Sequence, residues 1–345
     1  METMVRLVAL AKKISRIGFH KKNGPKLVEL ASAREQSVDA LLQSRPDLAG
    51  FKGSTKIPAH FLSVKNLDIE ASGVENGHPY VRLRSGRIFY GLAQPESAGR
   101  AYDLLADLLP SAVKRETMLL AGDIAFRYIR SNYLKFLPKQ ASLAIEVGAY
   151  HGIKAIRILD QMKDGQVVAI EMMPENHELL IKNIEANGLA GKVIPIMAGA
   201  WNEKLTTMIA SNGYQKNSVK QIDGRNWSKE PSIEVNLDTI DNIIEARGIE
   251  HADFVNFQIN GAENEALQGL RRNMHRIGIM RIIAPYSRAG ASSVAACEET
   301  LEKMDCVVLQ KSEKILIATP RKNEEKYAWV RDAGSPHELD TSPFL

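Results

Sequence analysis

Between Ser142 and Pro320, short β-branched runs alternate with amphipathic stretches of helical period, and this alternation constrains the chain more than any other feature. The predicted strands are Leu143–Val147, Val167–Glu171, Val193–Met197, Asp253–Ile259, Gly278–Ala284, Cys306–Gln310 and Ile315–Thr319. Helices are predicted between most of them, at Ile153–Met162, Pro174–Asn187, Leu237–Arg247, Ala262–Met274 and Ser292–Met304. A strand that returns through a helix re-enters the sheet parallel to its predecessor, so the run specifies a mostly parallel sheet with helices on both faces. Only Lys311-Ser-Glu-Lys314 separates the last two strands, which is too short for a crossover and makes them an antiparallel hairpin at the sheet edge. The expected fold is α/β: a mostly parallel seven-stranded sheet with one antiparallel edge strand, plus a smaller N-terminal α+β domain.

The 345 residues are too many for one ordinary domain. Residues 1–117 are expected to form a helical and hairpin accessory domain, 118–320 the main domain, and 321–345 a tail that packs loosely. In residues 1–22 the apolar Met4, Val5, Leu7, Val8, Leu10, Ala11, Ile14 and Ile17 recur at helical spacing while Arg6, Lys12, Lys13, Arg16, Lys21 and Lys22 take other positions. Such a basic amphipathic helix docks either on an anionic membrane surface or on the protein's own core. The charges interrupt any secretory apolar region, and the stretch is too short to span a bilayer. Residues 23–80, with Pro25, Pro46, Pro58 and Pro79, read as small helices and loops, and Tyr80–Tyr90 as a β-hairpin turning at Ser85-Gly86 that carries Arg82, Arg84 and Arg87. Further helices are expected at Ala98–Leu109 and Arg115–Phe136. Apolar residues at 44% and charged residues at 25% provide a core and exclude disordered, collagen-like and membrane-spanning classes. A net charge of +4 with 6% aromatics counts against a nucleic-acid partner. Two cysteines exclude a disulfide framework and point to a cytoplasmic protein, with the N-terminal helix as its possible membrane contact.

The chemistry is expected at the carboxyl ends of the strands. Glu146-Val-Gly-Ala-Tyr-His-Gly152 closes the first strand, and Gly148 and Gly152 suit a turn in which backbone approaches a ligand closely. Gly-x-x-x-Gly is not the Gly-x-Gly-x-x-Gly of a dinucleotide site, and Glu146 is a poor neighbour for a diphosphate. Glu171 ends the second strand, where a carboxylate can accept both hydroxyls of a ribose. Two acids and a short glycine turn fit S-adenosylmethionine (SAM), a cation without phosphate, better than NAD. Glu146, Gly148, Ala149, Gly152, Glu171, Met172 and Ala200 are the candidate cofactor residues, with Met172 placed for the adenine face.

The motifs Glu146–Gly152, Ala169-Ile-Glu-Met-Met-Pro-Glu-Asn176, Ala198-Gly-Ala200, Leu237-Asp-Thr-Ile240 and Asp253–Leu267 resemble, in order and spacing, the FkbM family of SAM-dependent methyltransferases. The resemblance covers residues 118–320. It implies a class I (Rossmann-like) fold, SAM as methyl donor, and methylation of a hydroxyl on a sugar, glycolipid or natural product, with some relatives similar to peptide N-methyltransferases. The chain departs from the family where it has Tyr150 for Asn and Met172 for Pro. The family's Lys-Ile-Asp-Val-Glu-Gly-Ala-Glu is here Asn256-Phe-Gln-Ile-Asn-Gly-Ala-Glu263, so a lysine and two acids have become Asn256, Gln258 and Asn260. Neutral amides in place of acids remove hard-oxygen ligands, so metal-independent transfer is expected. His151 and Tyr286 are the candidate proton acceptors and Gln258 the candidate acceptor-binding residue. Two other readings are a partner or scaffold with the fold but reduced activity, and an RNA methyltransferase. Intact Glu146, Gly148, Gly152 and Glu171 argue against the first, and the absence of a basic, aromatic groove against the second.

Overall fold

A computed structural model describes residues 64, 67–94, 109–129, 132–210, 218–219, 232–288 and 291–336. The expected helix at 1–22 lies outside them, as does all but the last residue of the one at Ala98–Leu109. The chain divides into two units, Met1–Ile57 and Pro58–Leu345, and every described residue belongs to the second. The boundary expected between residues 117 and 118 falls inside that unit.

The described part opens with three antiparallel strands, β1 (Ile69–Glu75), β2 (His78–Leu83) and β3 (Ile88–Tyr90). The expected hairpin is β2–β3. Strand β1 lies where loops and small helices were expected, joined to β2 by Asn76-Gly77, both at positive φ as a tight hairpin turn requires. The helix expected over Arg115–Phe136 is broken instead. A 3₁₀ turn (Arg115–Thr117) leads into α1 (Met118–Ile124), a π-helical turn (Ala125–Ile129) and a second 3₁₀ stretch (Asn132–Phe136). The break lets both Arg127 and Tyr133 turn inward, with the Tyr133 hydroxyl donating to the Arg127 carbonyl at 3.2 Å.

The main sheet follows the sequence reading closely. Its first half is β4 (Leu143–Val147), α2 (Ile153–Leu159), β5 (Gln166–Glu171), α3 (Pro174–Ala186) and β6 (Val193–Met197). Helix α3 starts with Pro174 at its first turn, where the missing N–H has no intrahelical role. An insertion not anticipated from sequence follows: β7 (Gly199–Ala200), β8 (Leu205–Ala210), β9 (Ser218–Val219) and β10 (Ser232–Asp238) form a second sheet in the order β7-β10-β8-β9. The chain returns through α4 (Ile240–Ala246), whose Thr239 cap accepts from the Asn242 N–H at 3.0 Å. Then come β11 (Ala252–Phe257), α5 (Glu263–Gln268), β12 (Ile277–Ile283), a short hairpin of β13 (Ser287–Arg288) and β14 (Ala291–Ser292), α6 (Ser293–Lys303), β15 (Cys306–Lys311) and β16 (Ile315–Pro320).

The seven strands lie in the order β6-β5-β4-β11-β12-β16-β15. All neighbours are parallel except β16, which runs antiparallel to both β12 and β15. Strand order reverses between β4 and β11, which opens a crevice at their carboxyl ends. Residues 321–336 do not fray as expected. Tyr327 and Val330 are buried, and the Asn323 amide donates to the Ile277 carbonyl at 2.9 Å, so this segment extends the core beyond β15. Among the described residues no helix is long and apolar enough to cross a membrane.

Candidate active site

The turn between β4 and α2 carries Gly148 at φ +85° and Gly152 at φ +80°. A Cβ on Gly148 would collide with the Gln258 carbonyl, so glycine is what lets β4 and β11 close on each other here. The turn's amides are already committed. Gly148 and Ala149 both donate to the Ile170 carbonyl at 2.9 Å, Gly152 donates to the Ala149 carbonyl at 2.9 Å, and Tyr150 donates to Glu171 Oε2 at 2.8 Å. Tyr150 itself sits at φ +53°, a left-handed conformation that costs a non-glycine residue about 1–2 kcal/mol. The Arg127 guanidinium lies 5.0 Å from its ring centroid, and the His151 ring stacks on it at 3.5 Å.

His151 is buried against this stack. Burial, reinforced by Arg127, pulls its pKa down to about 3. An imidazole of that basicity stays neutral at physiological pH and is a weak base for the expected proton-accepting role.

Glu171 is buried at the end of β5. Its Oε1 accepts from the Met173 N–H at 2.9 Å and the Asn176 amide at 3.4 Å. Burial raises its pKa, and the bonds from Met173, Tyr150 and Asn176 oppose that rise. Met172 is half-buried and packs with Met173, Trp201, Ile209, Val235 and Leu237 in the core of the inserted sheet. Ala200 pairs with Asp238 through its backbone and packs in the main core.

The register brings together a row that the sequence reading only half saw. Glu146 on β4 pairs with Asn256 on β11, which pairs with Arg281 on β12, and all three are fully buried. Asn256 donates to both Glu146 oxygens at 3.0 and 2.8 Å and accepts from Arg281 Nη1 at 2.8 Å. Burial raises the Glu146 pKa, and Lys154, Asn256, Arg281 and Arg127 pull it back. Where the resemblance has a lysine at position 256, this chain has an amide, and a cation lies one strand over at Arg281. Arg281 and Lys154 lie 5.4 and 5.6 Å from the Tyr133 ring centroid. The signal for Arg281 was present: one arginine inside an otherwise apolar strand, Gly278-Ile-Met-Arg-Ile-Ile283.

The polar groups that reach the crevice differ from these. Gln258, Asn260 and Tyr286 are half-buried at the ends of β11 and β12. Gln258 Oε1 accepts from Lys154, and the Tyr286 hydroxyl donates to Asn260 Oδ1 at 3.2 Å. Asn260 and Gly261 both have positive φ, and the Glu263 carboxylate holds their turn by accepting from the Ile259 and Gly261 N–H groups at 3.1 and 3.2 Å. Among the described residues no three His, Cys, Asp or Glu side chains gather to hold a metal ion. Of the hairpin arginines, Arg87 is bound to Asp160 and Arg84 to Asp68, so neither is set aside for a substrate anion.

This strand order, with the reversed β16 and a glycine turn and acid at the ends of β4 and β5, is that of the class I methyltransferase fold. Residues 146–305 match the family described as the methyltransferase FkbM domain, and the match supports a SAM-dependent methyltransferase. No curated protein matches the chain. Solved structures similar to it include Aeropyrum pernix fibrillarin with natively bound SAM, at 12% identity and TM-score 0.34, covering 73% of this chain and 100% of that one. Precorrin-6y C5,15-methyltransferase from Geobacter metallireducens is 14% identical with TM-score 0.32, covering 55% and 83%. M. capricolum TrmK with S-adenosylhomocysteine is 14% identical with TM-score 0.34, covering 55% and 65%. Likeness at this level says nothing of the acceptor.

Proposed function

We propose that this domain transfers a methyl group from SAM, without a metal ion, to a hydroxyl on a sugar, glycolipid or natural product, or to an amide or amine of a peptide. The observation that carries this reading is the hydrogen bonding of the glycine turn. The N–H groups of Gly148, Ala149, Tyr150 and Gly152 are all engaged within the protein, so they offer no cradle for a diphosphate. Glu171 at the end of β5 suits a phosphate-free cofactor with a ribose, whereas both Glu146 oxygens are already taken by Asn256. Glu171 would take the ribose hydroxyls: a carboxylate has about four acceptor positions, and the 3.4 Å bond from Asn176 is the weakest of those in use.

SAM supplies an electrophilic methyl group on a good leaving group, so the protein's part is placement of the acceptor and management of its proton. Lys154 holds Gln258 by its carbonyl oxygen, which would leave the amide Nε2 to donate to an acceptor oxygen. Tyr286, whose hydroxyl donates to Asn260, would accept a hydrogen bond from the acceptor and so hold it in place, the acceptor's proton being lost to solvent as the methyl group transfers. Amides rather than acids at positions 258 and 260 support metal independence. We also propose, from the sequence alone, that residues 1–22 dock the protein on an anionic membrane surface.

Calorimetry with SAM and S-adenosylhomocysteine tests the cofactor assignment. Binding is expected with or without EDTA, and Glu171→Ala is expected to weaken it by about 1–3 kcal/mol through the lost hydroxyl bonds. Absence of heat with either ligand would refute the assignment, and loss of turnover in EDTA would refute metal independence. A screen with methyl-labelled SAM over glycan, lipid, peptide and RNA fractions identifies the acceptor.

A further inference from the structure

Helix α3 closes one edge of the three-stranded sheet with side chains. Asn183, fully buried, accepts from the Tyr90 N–H at 2.6 Å through Oδ1 and donates to the Tyr90 carbonyl at 3.0 Å through Nδ2. One turn later Asn187 repeats the pattern on Ile88, accepting from its N–H at 3.1 Å and donating to its carbonyl at 2.6 Å. The spacings match, because four helical residues rise about 6 Å and two strand residues about 6.6 Å. The two amides therefore meet β3 as a neighbouring strand would, and Leu179 packs against Ile88 and Tyr90 beside them.

Asn183 does one thing that Asn187 does not. Its Nδ2 also donates to the carbonyl of His151 at 2.8 Å, inside the glycine turn. That carbonyl directly follows Tyr150, whose left-handed backbone persists only where the surroundings over-determine it. Leu180, on the same helix, stands 2.5 Å from where a Cβ on Gly152 would lie, so α3 abuts the turn at a second point.

We propose that Asn183 is a positioning residue of the cofactor turn, through which the three-stranded sheet sets the affinity for SAM. The inference rests on the assignment of that turn to SAM binding. Asn183→Ala frees the His151 carbonyl and lets the turn relax from the shape that receives the cofactor. Asn187→Ala removes the equivalent clamp on Ile88 and leaves the turn untouched.

The test is calorimetric titration of the full chain with S-adenosylhomocysteine, alongside thermal unfolding. Asn183→Ala is expected to lose about tenfold or more in affinity, the equivalent of one buried hydrogen bond. Asn187→Ala is expected to lower Tm comparably while staying within about twofold of wild-type affinity. Wild-type affinity in Asn183→Ala, or equal losses in both variants, overturns the proposal while leaving the cofactor assignment intact. Failure of the unmutated protein to bind overturns both. Should Asn183→Ala not fold, hydrogen exchange on the wild-type protein decides. S-adenosylhomocysteine is expected to slow exchange at Ile88–Gly91 more than at the edge strand Cys306–Lys311, and equal or no protection refutes the coupling.

Discussion

Tyr150 shows at one residue what a left-handed backbone demands. Its side chain is retained by burial and by the Arg127 guanidinium over its ring, against a conformational penalty that glycine would not meet. Alanine would forfeit the ring and keep the penalty. Tyr150→Gly is therefore expected to be more stable than Tyr150→Ala by about 1 kcal/mol in urea unfolding, the reverse of the order at helix or strand positions. Equal or inverted stabilities would show that the backbone there is not held left-handed. His151 carries a second expectation, and its sign follows from a folded pKa of about 3. In the unfolded chain the imidazole binds a proton near pH 6.5, so stability is complete above that value and is lost as pH falls toward the folded value. Between pH 7.5 and 5.5 the loss is on the order of 1 kcal/mol, and His151→Phe should abolish that increment. The buried Glu146 and Glu171 act in the opposite direction, since their folded values are raised, so the wild-type minus His151→Phe difference isolates the imidazole. A difference that does not change with pH would mean that His151 is solvated. At this scale the sequence located the turn and both acids, while the burial of His151 was not legible because it depends on Arg127 and α3, both distant in the chain.

Among the elements, the parallel strands were legible nearly to the residue, because each is a short β-branched run between helical periods. The inserted sheet was missed even though Ser232-Ile-Glu-Val-Asn-Leu-Asp238 alternates apolar and polar residues as a half-buried strand does. Its antiparallel partner, β8, lies more than twenty residues earlier, so no local turn signal joined them. The row Glu146–Asn256–Arg281 was invisible for a similar reason: it exists only through pairing register across three strands. That register makes the row testable as a unit. Asn256→Lys places a second cation beside Arg281, and Arg281→Leu removes the cation that Asn256 relays to Glu146. Each alone is expected to cost about 2–4 kcal/mol, as breaking a buried charge arrangement does. The double variant restores one cation next to Glu146, so its loss should fall short of the sum by about 1 kcal/mol or more in a double-mutant cycle. Strict additivity would mean that the two positions do not share one electrostatic site.

Over the whole molecule the modest net charge conceals a division. Residues 1–57 hold eleven Lys and Arg against five Asp and Glu, a net +6 within a chain of +4, which leaves residues 58–345 at −2. The packing boundary after Ile57 coincides with that change of sign. A methyltransferase unit of slightly negative charge gains nothing from an anionic surface, whereas Lys12, Lys13, Arg16, Lys21 and Lys22 would each contribute about 1 kcal/mol close to one. Attachment to vesicles containing phosphatidylserine is thus expected to require the first unit and to weaken steeply between low salt and roughly 0.5 M salt, where the Debye length shrinks to a few ångström. A fragment of residues 58–345 should bind S-adenosylhomocysteine within about twofold of the full chain, because Glu146, Glu171, Asn183 and the sheet that orders them all lie inside it. The same fragment should float free of the vesicles. Retained vesicle binding by the fragment would place the membrane contact on the methyltransferase unit, and lost cofactor affinity would mean that the first 57 residues help to build the site.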